Sequence, residues 1–186
     1  GLDAADIDGD GWQDLFVANV DHEMYSVYQN NKDETFRDVA QENGVARATQ
    51  LLSGWGMKYF DYDNDGLIDL FLANGHPDDM IDSYSMHVKY REPLLLFHHG
   101  ADGKLHDVSR GAGPIFERDF AARGLAVGDY DNDGAIDILI GINGGAPLLL
   151  KNNAAKANNW LGLRLEGVKC NRDAIGAKIT WTVAGK

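Results

Sequence analysis

Apolar residues in this chain come in short runs separated by glycine, asparagine and aspartate. Leu-Phe-Val-Ala-Asn at 15–19, Leu-Phe-Leu-Ala-Asn at 70–74 and Ile-Leu-Ile-Gly-Ile at 138–142 have the aliphatic and aromatic make-up of strands. A glycine-containing strand precedes the second and third runs, at 54–60 and 123–128, and residues 1–5 line up with the end of such a strand. Further apolar segments follow at 25–29, 93–97 and 147–151. Two of these lead through a Gly/Asn/Asp-rich turn into a strand ending in Asp-Val, at 35–39 and 104–108. Helix is scarce, and 41–44 and 109–113 read as turns between units. About four short strands per unit, repeated three times, predict an all-β, propeller-type array of blades at roughly 1–53, 54–122 and 123–157.

Between the first two strands of every unit lies the same nine-residue acidic loop. It reads Asp-Ile-Asp-Gly-Asp-Gly-Trp-Gln-Asp at 6–14, Asp-Tyr-Asp-Asn-Asp-Gly-Leu-Ile-Asp at 61–69, and Asp-Tyr-Asp-Asn-Asp-Gly-Ala-Ile-Asp at 129–137. Positions one, three, five and nine are Asp6, Asp8, Asp10 and Asp14; Asp61, Asp63, Asp65 and Asp69; and Asp129, Asp131, Asp133 and Asp137. Carboxylates alternating around a tight turn can converge on one hard cation. Calcium takes six to eight oxygens in a flexible shell, and the backbone carbonyls at position seven (Trp12, Leu67 and Ala135) would add to the four carboxylates. About three Ca2+ ions are therefore expected, one per loop. An EF-hand is excluded, because it needs Glu at position twelve and flanking helices, and Val17, Leu72 or Ile140 stands there inside a strand.

Charge adds to this picture. The formal net charge is −12, and the loops alone hold twelve aspartates, so the acidity reflects metal sites more than a polyanionic surface. Three Ca2+ would bring the charge to about −6. Nucleic-acid binding is disfavoured for want of a basic face. No apolar stretch approaches the length of a membrane span. Cys170 is the only cysteine, so an internal disulfide is impossible.

Residues 75–92 form the longest departure from the repeat and read as a loop projecting from one face of the second blade, with room for a helical turn. It carries His76, Asp78, Asp79, Asp82, Tyr84, His87 and Arg91. The histidine spacings, including the His98-His99 pair, match no compact zinc motif, and no nucleophile elbow or phosphate loop is present. The chain is thus expected not to be an enzyme. Trp12, Trp55, Trp160 and Trp181 are expected to pack within or between strands. Arg123 and Arg172 are left between pairing with loop carboxylates and anchoring the tail. From residue 158 the acidic loop disappears, and the alternating segments 160–165 and 177–183 predict two strands of a different module.

The loops with their flanking strands resemble FG-GAP/VCBS repeats, the calcium-loop blades of integrin α-type propellers. Asn74-Gly75-His76, the strands leading to Asp107-Val108-Ser109, and Asn171-Arg172-Asp173-Ala174-Ile175-Gly176 in the tail more particularly resemble the cartilage-acidic-protein-like family, which ends in an ASPIC/UnbV module. The resemblance implies an exported β-propeller, often seven-bladed, with residues 158–186 as a partial ASPIC/UnbV-like β module. It carries the family's calcium ligands onto all twelve loop aspartates. Only three blades are present, and Cys170 stands where relatives tend to have Ser. An incomplete ring leaves apolar blade faces and strand edges to be covered by the remaining blades of a parent chain or by copies of itself. The expected function is non-catalytic binding or adhesion to an extracellular protein or glycan. Self-assembly into an extracellular polymer, or an enzyme site on the 75–92 loop, are the alternatives.

Overall fold

The structure, a computed structural model, describes residues 1–154, 158–180 and 182. It is built from small antiparallel sheets laid side by side. The first has the order β1 (Leu2–Ala5), β2 (Asp14–Val17), β3 (Ser26–Asn30) and β4 (Phe36–Asp38). A short helix, α1 (Val45–Thr49), leads to the second sheet. This runs β5 (Gly54–Phe60), β6 (Asp69–Asn74), β8 (Leu95–His99) and β9 (Leu105–Asp107). The third contains β11 (Ala122–Gly128), β12 (Asp137–Ile142) and β13 (Leu148–Leu150). A ribbon of β7 (Glu92–Pro93) and β10 (Asp119–Phe120) ties the second unit to the approach of the third.

Successive strands within each sheet pair with their sequence neighbours, as expected of propeller-type blades. Period-two alternation then explains the packing. On β6, Leu70 and Leu72 point into one core with Phe16, Tyr25, Val27 and Phe97, and Phe71 and Ala73 point into another with Phe120, Ile138 and Ile140. The middle sheet is covered on both faces, so β6 is buried along its whole length. The outer sheets each have one covered face. Leu139 and Leu149, on the far side of β12 and β13, are about half exposed, and Leu2 on β1 is more exposed still. The array is open at both flanks.

Several expectations need correction. The third sheet has three strands among the described residues, not four. The described part of 158–182 contains no strand, because neither alternating segment finds a ladder partner there, and Trp181 and Val183 lie outside the described residues. The segment after the turn at 41–44 is helical: Val45, Ala46 and Thr49 bury one side against the first core, a pattern too short to recognise from periodicity alone. Trp12, Trp55 and Trp160 are not core packers, all three being at least two-fifths exposed. The 75–92 segment contains a 3-10 turn at Ile81–Ser83 but is stitched down rather than simply projecting. Its ends close through His76 N to Tyr90 O (3.0 Å), and Ile81 and Val88 are buried.

Candidate metal loops and the opposite face

Each acidic loop folds on hydrogen bonds from its own backbone to its own carboxylates, and the pattern repeats. The position-one aspartate takes two amides: Asp6 accepts from Asp10 N and Gly11 N (2.9 and 2.8 Å), Asp61 from Asp65 N and Gly66 N (3.1 and 2.8 Å), and Asp129 from Asp133 N and Gly134 N (3.1 and 2.9 Å). The position-five aspartate accepts the amide of position seven, from Trp12, Leu67 and Ala135 at 2.8, 2.8 and 3.0 Å. Such a tight wrap forces left-handed backbone at position six, where Gly11, Gly66 and Gly134 have φ of 92°, 91° and 86°. Only glycine adopts that region without a Cβ penalty. Position four is left-handed too, and Gly9, Asn64 and Asn132 stand there, the residue types that tolerate it.

The position-nine aspartates behave differently. Asp14, Asp69 and Asp137 are almost completely buried. Each bridges its loop to the third strand of its blade or to the residues directly after it. One oxygen accepts from position two (Ile7 N 3.1 Å, Tyr62 N 3.0 Å, Tyr130 N 3.2 Å), and the other accepts from Asn30 N, His99 N or Asn152 N, all at 2.8 Å. These carboxylates are struts as well as potential ligands. Burial pushes Asp14 and Asp69 above the usual carboxylate range, the amide donors opposing it. Burial also raises Asp63, with Asp65 adding repulsion. Such groups gain from a neighbouring cation.

Among the described residues, ligand atoms of Asp6, Asp8 and Asp10, of Asp61, Asp63 and Asp69, and of Asp129, Asp131 and Asp137 lie within 4.8 Å of one another. These groups could hold a metal ion. Their oxygen donors are hard, as a hard divalent cation requires. Asp65 joins a second grouping with Asp63 and His98. Asp14 and Asp133 stand outside these groupings, so three of the four expected carboxylates converge in the first and third loops. Trp12, Leu67 and Ala135 are held at position seven by their amides. His98 was not expected at a loop. Its Nδ1 lies 3.3 Å from Asp69 and 3.6 Å from Asp63. Matching Pro93 with Pro147 in the sequence places Phe97 opposite Lys151. The pairing of Leu70 with Phe97 and of Ile138 with Leu150 shifts that match by one and brings His98 to the loop.

The opposite ends of the blades hold a second polar cluster that the sequence did not announce. Glu92 is 2% exposed; one oxygen accepts Ser53 N (2.8 Å) and the other has no partner. Burial pushes its carboxyl up to about 8, with nearby Asp21 raising it further and Arg123 opposing. Asn74, fully buried, accepts the Tyr25 hydroxyl (2.9 Å) and donates to Pro93 O (2.8 Å). His76 accepts Asp78 N at Nδ1 (3.0 Å), which leaves its proton on Nε2 to meet Asp21 at 3.1 Å. Arg123 turns neither to the loops nor to the tail. It donates to Gly75 O and His76 O (3.0 and 2.8 Å) and stacks 4.8 Å from the Trp55 ring centre. Both Arg123 and Trp55 sit at register shifts in the first strands of adjacent blades, where a bulge re-aims a side chain. Gly75 is required there, since a Cβ would fall 2.8 Å from the backbone at Ala121 Cα and Ala122 N. Arg172 reaches Glu166 at 3.4 Å, within the tail.

Repeated blades with an acidic loop between the first and second strands define a class of acidic-loop, blade-type repeat proteins. The FG-GAP-like repeat matches residues 6–72 and 61–140, and the chain belongs to that family. No curated protein matches it. The match ends before the tail and bears on neither the cartilage-acidic-protein-like assignment nor the ASPIC/UnbV module. No helix among the described residues is long and apolar enough to cross a membrane.

Proposed function

We propose that the chain is a non-catalytic, calcium-stabilised portion of an extracellular β-propeller whose role is to bind a protein or glycan partner. The supporting observation is the threefold recurrence of one loop geometry, with oxygen ligands of three carboxylates drawn together in each copy. Asp6, Asp8 and Asp10, then Asp61, Asp63 and Asp69, then Asp129, Asp131 and Asp137 would hold the ions, with Asp14, Asp65 and Asp133 close by and the carbonyls of Trp12, Leu67 and Ala135 completing the shells. Calcium would supply charge neutralisation here, relieving repulsion among the carboxylates that the loop fold draws together. The exported setting and the ASPIC/UnbV-like tail belong to the same proposal.

Binding to the folded state alone adds about 2.7 kcal/mol per site when calcium is a hundredfold above its dissociation constant. The midpoint of thermal unfolding is expected to rise by several degrees in 1 mM Ca2+ over EGTA, and identical midpoints would end the calcium reading. The exposed Leu139, Leu149 and Leu2 on the outer sheets favour a companion reading, in which further blades or second copies cover the flanks. Light scattering of the isolated chain that returns a monomer at all concentrations would remove self-association.

A further inference from the structure

The three loops share a scaffold but differ in the residue that faces them from the third strand or directly after it. Gln29, His98 and Lys151 occupy one register position, each preceding the residue whose amide reaches the position-nine aspartate. Gln29 Nε2 donates to Asp8 at 2.8 Å. His98 lies against Asp63 and Asp69. Lys151 Nζ donates directly to Asp131 and lies 3.1 Å from Asp133. One position thus carries a neutral amide, an imidazole and an ammonium, each aimed at the position-three carboxylate.

We propose that Lys151 is a tethered cation that takes over part of the charge neutralisation in the third loop, making it the weakest calcium site of the three. The inference rests on the calcium reading above. An ammonium has donors only, so Asp131 must exchange it for the metal before turning its oxygens inward. Lys151 directly follows β13, and the bond from Asn152 N to Asp137 fixes its backbone beside the loop, so a displaced ammonium stays within a side chain's length of the divalent ion and repels it. In return it neutralises a carboxylate when no metal is bound, so the metal-free third loop is the least strained. Lys32 in the first blade is not equivalent: it comes from the turn after β3 and is paired with a single carboxylate, Asp10, at 2.9 Å.

A unit charge a few ångströms from a divalent ion weakens its binding by about tenfold or more, even at water-like screening. Calorimetric titration of the whole chain with Ca2+ is therefore expected to show two tighter sites and one about tenfold weaker. Lys151→Gln, which copies the first blade, is expected to bring the weak site within about threefold of the others. Gln29→Lys is expected to create a second weak site, and Asp129→Ala to abolish the weak step alone. Three equal sites in the unmodified chain, no tightening in Lys151→Gln, or loss of a tight step in Asp129→Ala would overturn the role of Lys151 while leaving calcium binding in place. No Ca2+ bound at all would overturn both. Lys151 is two-fifths exposed, so its substitution is expected to leave the fold intact, and Gln29→Lys tests the same idea from a second blade.

Discussion

Replacing Glu92 with Gln isolates one buried charge and should make the chain more stable at neutral pH, by an amount that grows with pH. Glu92 is sealed under the junction of the second and third units, with one oxygen on Ser53 N and the other unpartnered. Its folded-state value is about 8 against 4.5 for the free side chain. A raised carboxyl means that the folded chain holds a proton that the unfolded chain releases. Stability contributed by Glu92 is therefore present in full below about pH 4.5 and is lost as pH rises towards 8. At 1.36 kcal/mol per pH unit the loss reaches roughly 3 kcal/mol by pH 7, and on the order of 4–5 kcal/mol above pH 8. Glutamine keeps the acceptor for Ser53 N and cannot ionise. Urea unfolding of both proteins from pH 4 to 8.5 at fixed Ca2+ should give nearly equal stabilities at pH 4, and a difference favouring Glu92→Gln that widens steadily to pH 8. The loops titrate alike in both chains and cancel in the difference. A difference that stays flat with pH, or that shrinks as pH rises, would refute the reasoning.

Four further substitutions test the loop architecture and the opposite face. Asp69→Ala orphans Tyr62 N and His99 N at a fully buried position; at about 1–3 kcal/mol per lost partner, denaturant unfolding in EGTA should register a loss of about 2–5 kcal/mol before any metal effect. Gly66→Ala meets no atom within 4 Å and should cost only the left-handed backbone penalty, about 1–2 kcal/mol. Gly134→Ala adds a clash with the Trp160 ring to the same penalty, and should be clearly the worse of the two by urea midpoint. Arg123→Ala removes donors to Gly75 O and His76 O and the cation stacked on Trp55, so a loss of about 2–4 kcal/mol is expected. Its reporter is Trp55 emission, which should shift as the ring loses its cover; unchanged emission and stability together would show that the contact is incidental.

The three acidic loops and the strands flanking them were legible in the sequence because the hydrogen bonds that wrap each loop onto its own carboxylates span no more than seven residues. Asp at one, three, five and nine with Gly at six determines the turn wherever it occurs, and the repeated order of loop and apolar strand determines the blades. Alternation on β6 also announced a strand, but only the stacking of sheets decided that both its faces are covered. What tertiary structure decided are pairings between distant segments: Lys151 on Asp131, Asn152 on Asp137, Arg123 on Trp55, Glu92 under Ser53. Phe97 and Lys151 look equivalent in the sequence. The pairing of β8 with β6 shows that His98 is the counterpart of Lys151, because Pro93 belongs to the separate ribbon with β10. The alternating tail marks the same boundary from the other side. A strand exists only with a partner, and among the described residues none reaches it. A local turn carries its own hydrogen bonds, whereas registers, stacked faces and buried charges exist only once the sheets have met.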